Sequence, residues 1–134
     1  MSGKIGITNV QWVSSVETAD VLNEDLLVYI EELSSLYKTA ILSNANKGVI
    51  QRKIGEDWLG RAFDLIVVSA EAGIVKPDPN IYKMVCDRLD IKPDECIYVD
   101  DNVGFAAAAS NIGMKDLVYK DFESLKRDID KLIS

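Results

Sequence analysis

Short apolar runs and longer stretches of helical periodicity take turns along this chain. Thr39 to Leu42, Leu65 to Val68, Cys96 to Val99 and Leu117 to Tyr119 are brief, largely apolar runs. Runs this short, rich in β-branched and aromatic residues, predict buried strands. Between them, Leu26, Leu27, Ile30 and Leu33 recur at helical spacing, as do Tyr82, Val85, Cys86 and Leu89, and later Leu125, Ile129 and Leu132. That spacing predicts amphipathic helices. Asn23 suits an N-cap, with Glu24 and Asp25 in the first turn, and this helix fades near Tyr37. A short helix over 48–53 is expected to stop at Gly55. Asp78-Pro79 reads as an N-cap followed by proline at the first helical position. Ala106 to Ala109 predicts a further helix, with Gly113 as its stop.

Strands alternating with helices predict an α/β fold with a mostly parallel sheet. A length of 134 residues fits one compact domain, without repeats or low-complexity linkers. In parallel sheets of this kind, ligands bind beyond the carboxyl ends of the strands. The chemistry-bearing residues gather there: Ser43 ends one predicted strand, Asp100-Asp101 ends another, and Lys76 lies in the loop after a third.

Charge and composition narrow the function. The net charge of −7 argues against a nucleic-acid partner, which would demand a basic face. It leaves room for inorganic phosphate or a phosphorylated small molecule at one locally positive site. The chain contains no His, so any catalysis falls to carboxylates, Lys, Ser or a hard metal. Cys86 and Cys96 match no zinc spacing and read as buried thiols in a reducing compartment. No apolar run approaches a membrane span, and the N-terminus lacks a signal-peptide layout. A cytoplasmic protein without membrane contact is expected, and homo-oligomerisation is left open.

Each strand-end residue has its own chemistry. A hydroxyl at Ser43, with free backbone amides behind it, suits a phosphate oxygen. Taken alone, Ser43 equally reads as a plain cap between strand and helix. The ammonium of Lys76, between Gly73 and Pro77, can neutralise a phosphate, though a loop lysine by itself is usually solvated surface. Asp100 and Asp101, adjacent after Ile97-Tyr98-Val99, would repel each other without a cation, and a hard ion such as Mg²⁺ fits them.

Three segments together resemble the second, third and fourth motifs of the haloacid dehalogenase (HAD) superfamily. They are Ile41-Leu42-Ser43-Asn44-Ala45, Gly73-Ile74-Val75-Lys76-Pro77-Asp78-Pro79-Asn80-Ile81-Tyr82 and Tyr98-Val99-Asp100-Asp101-Asn102. They stand in the family order, and the resemblance covers about residues 23–134. It implies a Rossmann-like three-layer sandwich and a Mg²⁺-dependent reaction, most often phosphate-ester hydrolysis. Ser43 and Asn44 would hold the phosphate and Lys76 would bridge phosphate and nucleophile. Asp100 and Asp101 would hold Mg²⁺, directly or through water.

The chain departs from the family at the first motif. Family enzymes open on a strand ending in Asp-x-Asp, where one Asp attacks and the other serves as acid and base. No such pair precedes Ser43, and Asp20 is preceded by no buried strand. Two readings of residues 1–22 follow. In one, Ile5-Gly6-Ile7-Thr8 is a degenerate first strand, with Asn9 at the nucleophile position, Gln11 at the acid/base position and a short flap in place of a cap. In the other, this segment is a cap remnant and the first strand is missing from the chain. The first is favoured, because a sheet without its central strand exposes edges and apolar faces. Residues 23–134 form the core in both. The expectation is an HAD-like scaffold with vestigial or absent activity on its own. The alternatives are an active Mg²⁺-dependent phosphomonoester hydrolase and a module that binds or senses a phosphorylated ligand.

Overall fold

A computed structural model of the chain describes residues 6–10, 24–44 and 56–133. In chain order the elements are β1 (Gly6–Val10), α1 (Glu24–Ser34), β2 (Ala40–Ser43), α2 (Glu56–Ala62) and β3 (Leu65–Val68). They continue with α3 (Ser69–Ala72), α4 (Pro79–Leu89), a 3₁₀ turn (Pro93–Glu95), β4 (Cys96–Asp100), α5 (Val103–Asn111), β5 (Lys115–Val118) and α6 (Phe122–Ile133). Among the described residues, no helix is long and apolar enough to cross a membrane.

Every strand pairing is parallel: β1 with β4, β4 with β5, and β2 with β3. Strand β1 also runs alongside β2, with Cα atoms within 8 Å. Hydrogen bonds thus join β1-β4-β5 and β2-β3, and with β1 lying beside β2 the spatial order is β3-β2-β1-β4-β5. The chain leaves β1 to one side for β2 and β3, then crosses to the other side for β4 and β5. That reversal makes the carboxyl ends of β1, β2 and β4 a topological switch point, where loops diverge and leave a crevice.

The two-residue period of the strands divides the core into two faces. Ile41, Val68, Ile97 and Val99 pack with Tyr29, Ile30 and Leu33 of α1, Ala62 of α2 with the following Phe63, and Leu125 and Ile129 of α6. Ala40, Leu42, Val67, Cys96 and Tyr98 face the other way, onto Ile81, Tyr82, Val85, Cys86 and Leu89 of α4 and Ala109 of α5. The sheet thus lies between two helical layers, as a Rossmann-like sandwich requires. Ile41, Leu42 and Ile97 are wholly buried, each contributing about 1.5–3 kcal/mol of apolar transfer.

Local signals explain the helix ends nearest the crevice. Asp78 caps α4 by accepting from the Asn80 amide at 2.9 Å, and Pro79 needs no amide partner at that position. The Asn102 carboxamide accepts from the Phe105 amide at 3.0 Å and starts α5 directly after β4. Gly73 closes α3 at φ +74°, a left-handed conformation that turns the chain into the lysine loop.

The structure differs from the sequence expectations in places. The expected helix over 48–53 lies outside the described residues. Helices α2 and α3 were not anticipated: each is too short to establish a period. Strand β5 begins at Lys115 and ends at Val118, earlier than the apolar run suggests. It is an edge strand on which Lys115 and Asp116 are exposed, and charge on such an edge discourages pairing with another chain.

Candidate functional site

Ser43, Lys76, Asp100 and Asp101 all lie at the carboxyl-end side of the sheet. Ser43 is the last residue of β2 and is wholly buried. Asp100 is the last residue of β4 and is also wholly buried, whereas Asp101 is partly exposed. Lys76 is only 3% exposed, so this loop lysine is not a surface side chain.

The Lys76 ammonium lies 3.3 Å from Oδ2 of Asp100. The same oxygen accepts from the Tyr98 hydroxyl at 2.5 Å, while Oδ1 accepts from the Asn102 amide at 2.9 Å. Burial pushes the Asp100 carboxyl above the ordinary carboxylate range, opposed first by the Lys76 charge, then by Tyr98 and the Asn102 amide. A buried ion pair seldom stabilises a fold more than well-packed apolar residues would. Its position at the switch point, rather than its energy, makes it the candidate site.

Asn44 ties β2 to the lysine loop. Its side-chain oxygen accepts from the Lys76 amide at 3.0 Å, and its side-chain nitrogen donates to the Lys76 carbonyl at 3.4 Å. Ser69, at the start of α3, donates to the Asn44 carbonyl at 3.1 Å. The Asn44 carboxamide, expected beside a phosphate, is thus engaged with the backbone of Lys76. The Lys76–Pro77 peptide in this loop is cis. On its other side the Lys76 ammonium faces the Phe105 ring, 4.8 Å from the centroid.

Strand β1 brings Asn9 to the same end of the sheet. It lies level with Tyr98, and Val10 lies level with Val99, one residue short of Asp100. Asn9 is the penultimate residue of the strand. Gln11 lies outside the described residues.

For a divalent cation, the donor set is small. Among the described residues, no group of three His, Cys, Asp or Glu side chains could hold a metal. Mg²⁺, however, commonly takes one or two carboxylates and completes its octahedron with water and phosphate oxygens. A carboxylate offers about four acceptor positions. Lys76 and Tyr98 take up Oδ2 of Asp100 and the Asn102 amide takes one position on Oδ1; Asp101 follows directly in the chain and is partly exposed. Two carboxylates fit such an ion as partial ligands.

Sequence reasoning missed Tyr98, Ser69 and Phe105. Tyr98 stands two residues before Asp100, and period-two geometry turns both to one face of β4. That signal was available. Ser69 and Phe105 act through contacts between distant segments and had none.

The strand order, the two helical layers and the charged pair at the switch point define a Rossmann-like α/β hydrolase scaffold. The chain belongs to the haloacid dehalogenase-like hydrolase family, whose model matches residues 4–113. It is 36% identical over 85 residues to (S)-2-haloacid dehalogenase 4A of Burkholderia cepacia, covering 63% of this chain and 37% of that enzyme. The chain spans well under half the length of such curated relatives. Its fold is similar to that of an uncharacterized protein from Corynebacterium glutamicum, with a TM-score of 0.83 at 23% identity, covering 98% of this chain and 96% of that one. It is also similar to a HAD family enzyme of Bacteroides thetaiotaomicron, with a TM-score of 0.65 at 23% identity, covering 78% of this chain and 58% of that one. That structure is an aspartate-to-alanine mutant in complex with magnesium and inorganic phosphate.

Proposed function

We propose that this chain is a phosphate- and Mg²⁺-binding HAD-like scaffold with little or no hydrolytic turnover by itself. The observation that carries the reading is the buried Lys76–Asp100 pair, 3.3 Å apart, beside a strand that ends in Asn9-Val10. Lys76, the Ser43 hydroxyl and the Asn44 amide would hold an oxyanion. Asp100 and Asp101 would hold Mg²⁺, which when bound neutralises phosphate charge. Asn9, at the position read as the nucleophile's, carries an amide. An amide does not form an acyl-phosphate as a carboxylate does, and the chain has no His to activate Ser43 in its place. The Bacteroides thetaiotaomicron HAD family enzyme, in its aspartate-to-alanine form, holds magnesium and inorganic phosphate, which supports both as ligands of such a scaffold.

The test pairs binding with turnover. Inorganic phosphate with Mg²⁺, each at about ten times its dissociation constant, stabilises a one-site protein by about 1.4 kcal/mol per ligand. A rise in melting temperature is expected, with no hydrolysis of a generic phosphomonoester. Asp101→Ala should remove much of the Mg²⁺ effect and Lys76→Ala the phosphate effect. Asn9→Asp with Gln11→Asp should restore some Mg²⁺-dependent turnover if β1 carries the catalytic position. Robust turnover by the parent chain, lost in Lys76→Ala, would make it an active phosphomonoester hydrolase instead. Turnover surviving both Lys76→Ala and Asp100→Ala would remove the site assignment altogether.

A further inference from the structure

The Asp100 carboxylate is shared unequally. Tyr98 donates to Oδ2 across 2.5 Å, at the short end for a hydroxyl–carboxylate bond. Lys76 reaches the same oxygen across 3.3 Å, about half an ångström beyond a usual charge-assisted contact. All three side chains are buried, where contacts of this kind are strong once made. An ammonium beside a buried carboxylate should close to contact. Two of its neighbours oppose that closure. The Tyr98 hydroxyl occupies the oxygen at short range, and the Phe105 ring attracts the ammonium, 4.8 Å from its centroid.

Both neighbours are fixed from behind. The Tyr98 ring meets Tyr82 edge to face, with centroids 5.2 Å apart and planes at 78°. The Tyr82 hydroxyl donates to the Phe105 carbonyl at 2.9 Å. One aromatic cluster between β4, α4 and α5 therefore sets the hydroxyl on Asp100 and the start of the helix that carries Phe105.

We propose that Tyr98 is a positioning residue for the anion site. By claiming Oδ2 of Asp100, it prevents Lys76 from collapsing onto the carboxylate and keeps the ammonium able to turn toward an oxyanion. The ligand is inorganic phosphate or a phosphomonoester entering at the strand ends. This inference rests on the anion-binding reading above. It adds that the lysine's availability is set by a tyrosine outside the family-like lysine loop.

Tyr98→Phe removes the hydroxyl and keeps the ring packing, so it isolates the effect. A crystal structure of the variant should show Nζ of Lys76 closing on Asp100 to about 2.8 Å. Calorimetric titration with inorganic phosphate should show an affinity about tenfold weaker than the parent's. A purely structural role for Tyr98 would lower the melting temperature without shortening that contact. An unchanged separation overturns the inference, as does equal phosphate affinity in parent and variant. If the parent binds no phosphate, the anion reading fails and takes the functional half of this inference with it; the geometric half is decided by the distance alone. Should Tyr98→Phe not fold, Phe105→Leu releases the ammonium from its other side and should shorten the same contact.

Discussion

Lys76→Ala leaves a buried Asp100 carboxylate that, among the described residues, is balanced by Tyr98 and the Asn102 amide. Breaking a buried pair from one side typically costs about 3–5 kcal/mol, and the two remaining donors argue for the lower end. Replacing both partners, Lys76→Met with Asp100→Leu, removes the desolvation cost together with the attraction. That double change still leaves the buried Tyr98 hydroxyl and the Asn102 amide without their acceptor, so it should cost on the order of 1–3 kcal/mol while removing phosphate binding. Urea unfolding of the three proteins measures the difference. A neutral Lys76→Ala would mean that the pair is not buried as described. The sequence made Lys76 and Asp100 visible because each stands in a recognisable motif at a predicted strand end. Tyr98 was hidden, because a tyrosine within an apolar run reads as core. Its hydroxyl gains meaning only when its strand partner at 100 is known to be buried and charged.

At the scale of elements, legibility followed length and burial. Strand β3 matches its apolar run end to end, and β2 and β4 extend one residue further, into Ser43 and Asp100. Those extra residues are polar, so hydropathy stops short of them, although both are buried. Helix α4 was legible at both ends of its chemistry: Asp78 and Pro79 start it, and Ile81, Tyr82, Val85, Cys86 and Leu89 face the core. Its cap matters to the site, since it ends the loop that carries Lys76. Asp78→Ala should cost about 1 kcal/mol of stability. Faster amide hydrogen exchange in the first turn of α4, with the far end of the helix unchanged, would locate the loss. Uniform exchange throughout would show that the cap does not hold this end.

For the whole molecule, the sequence dictates alternation of strands and helices but not their lateral order. The order β3-β2-β1-β4-β5 depends on pairings between segments far apart in the chain, and it sets the topological switch point. Closure of the outer helical layer has a similar long-range tie. The Tyr29 hydroxyl on α1 donates to Asp130 on α6 at 2.7 Å, joining residues 101 positions apart. Burial first, then the bond to Asp130 and its charge, push the Tyr29 hydroxyl above its ordinary value of 10.0. Burial raises Tyr82 and Tyr119 as well. The folded chain therefore keeps phenolic protons that the unfolded chain releases. Once pH passes about 10, the unfolded state binds fewer protons, so unfolding becomes more favourable as pH rises. The contribution is fully present below that pH and is lost on the way up to the folded value. Urea unfolding at about pH 8 and about pH 11 should show a marked alkaline loss. In Tyr29→Phe the loss should be shallower, at a cost of about 1 kcal/mol near neutrality for the missing hydrogen bond. A parent equally stable at both values, or a Tyr29→Phe variant with the parent's full alkaline loss, would separate this tyrosine from the stability of the fold.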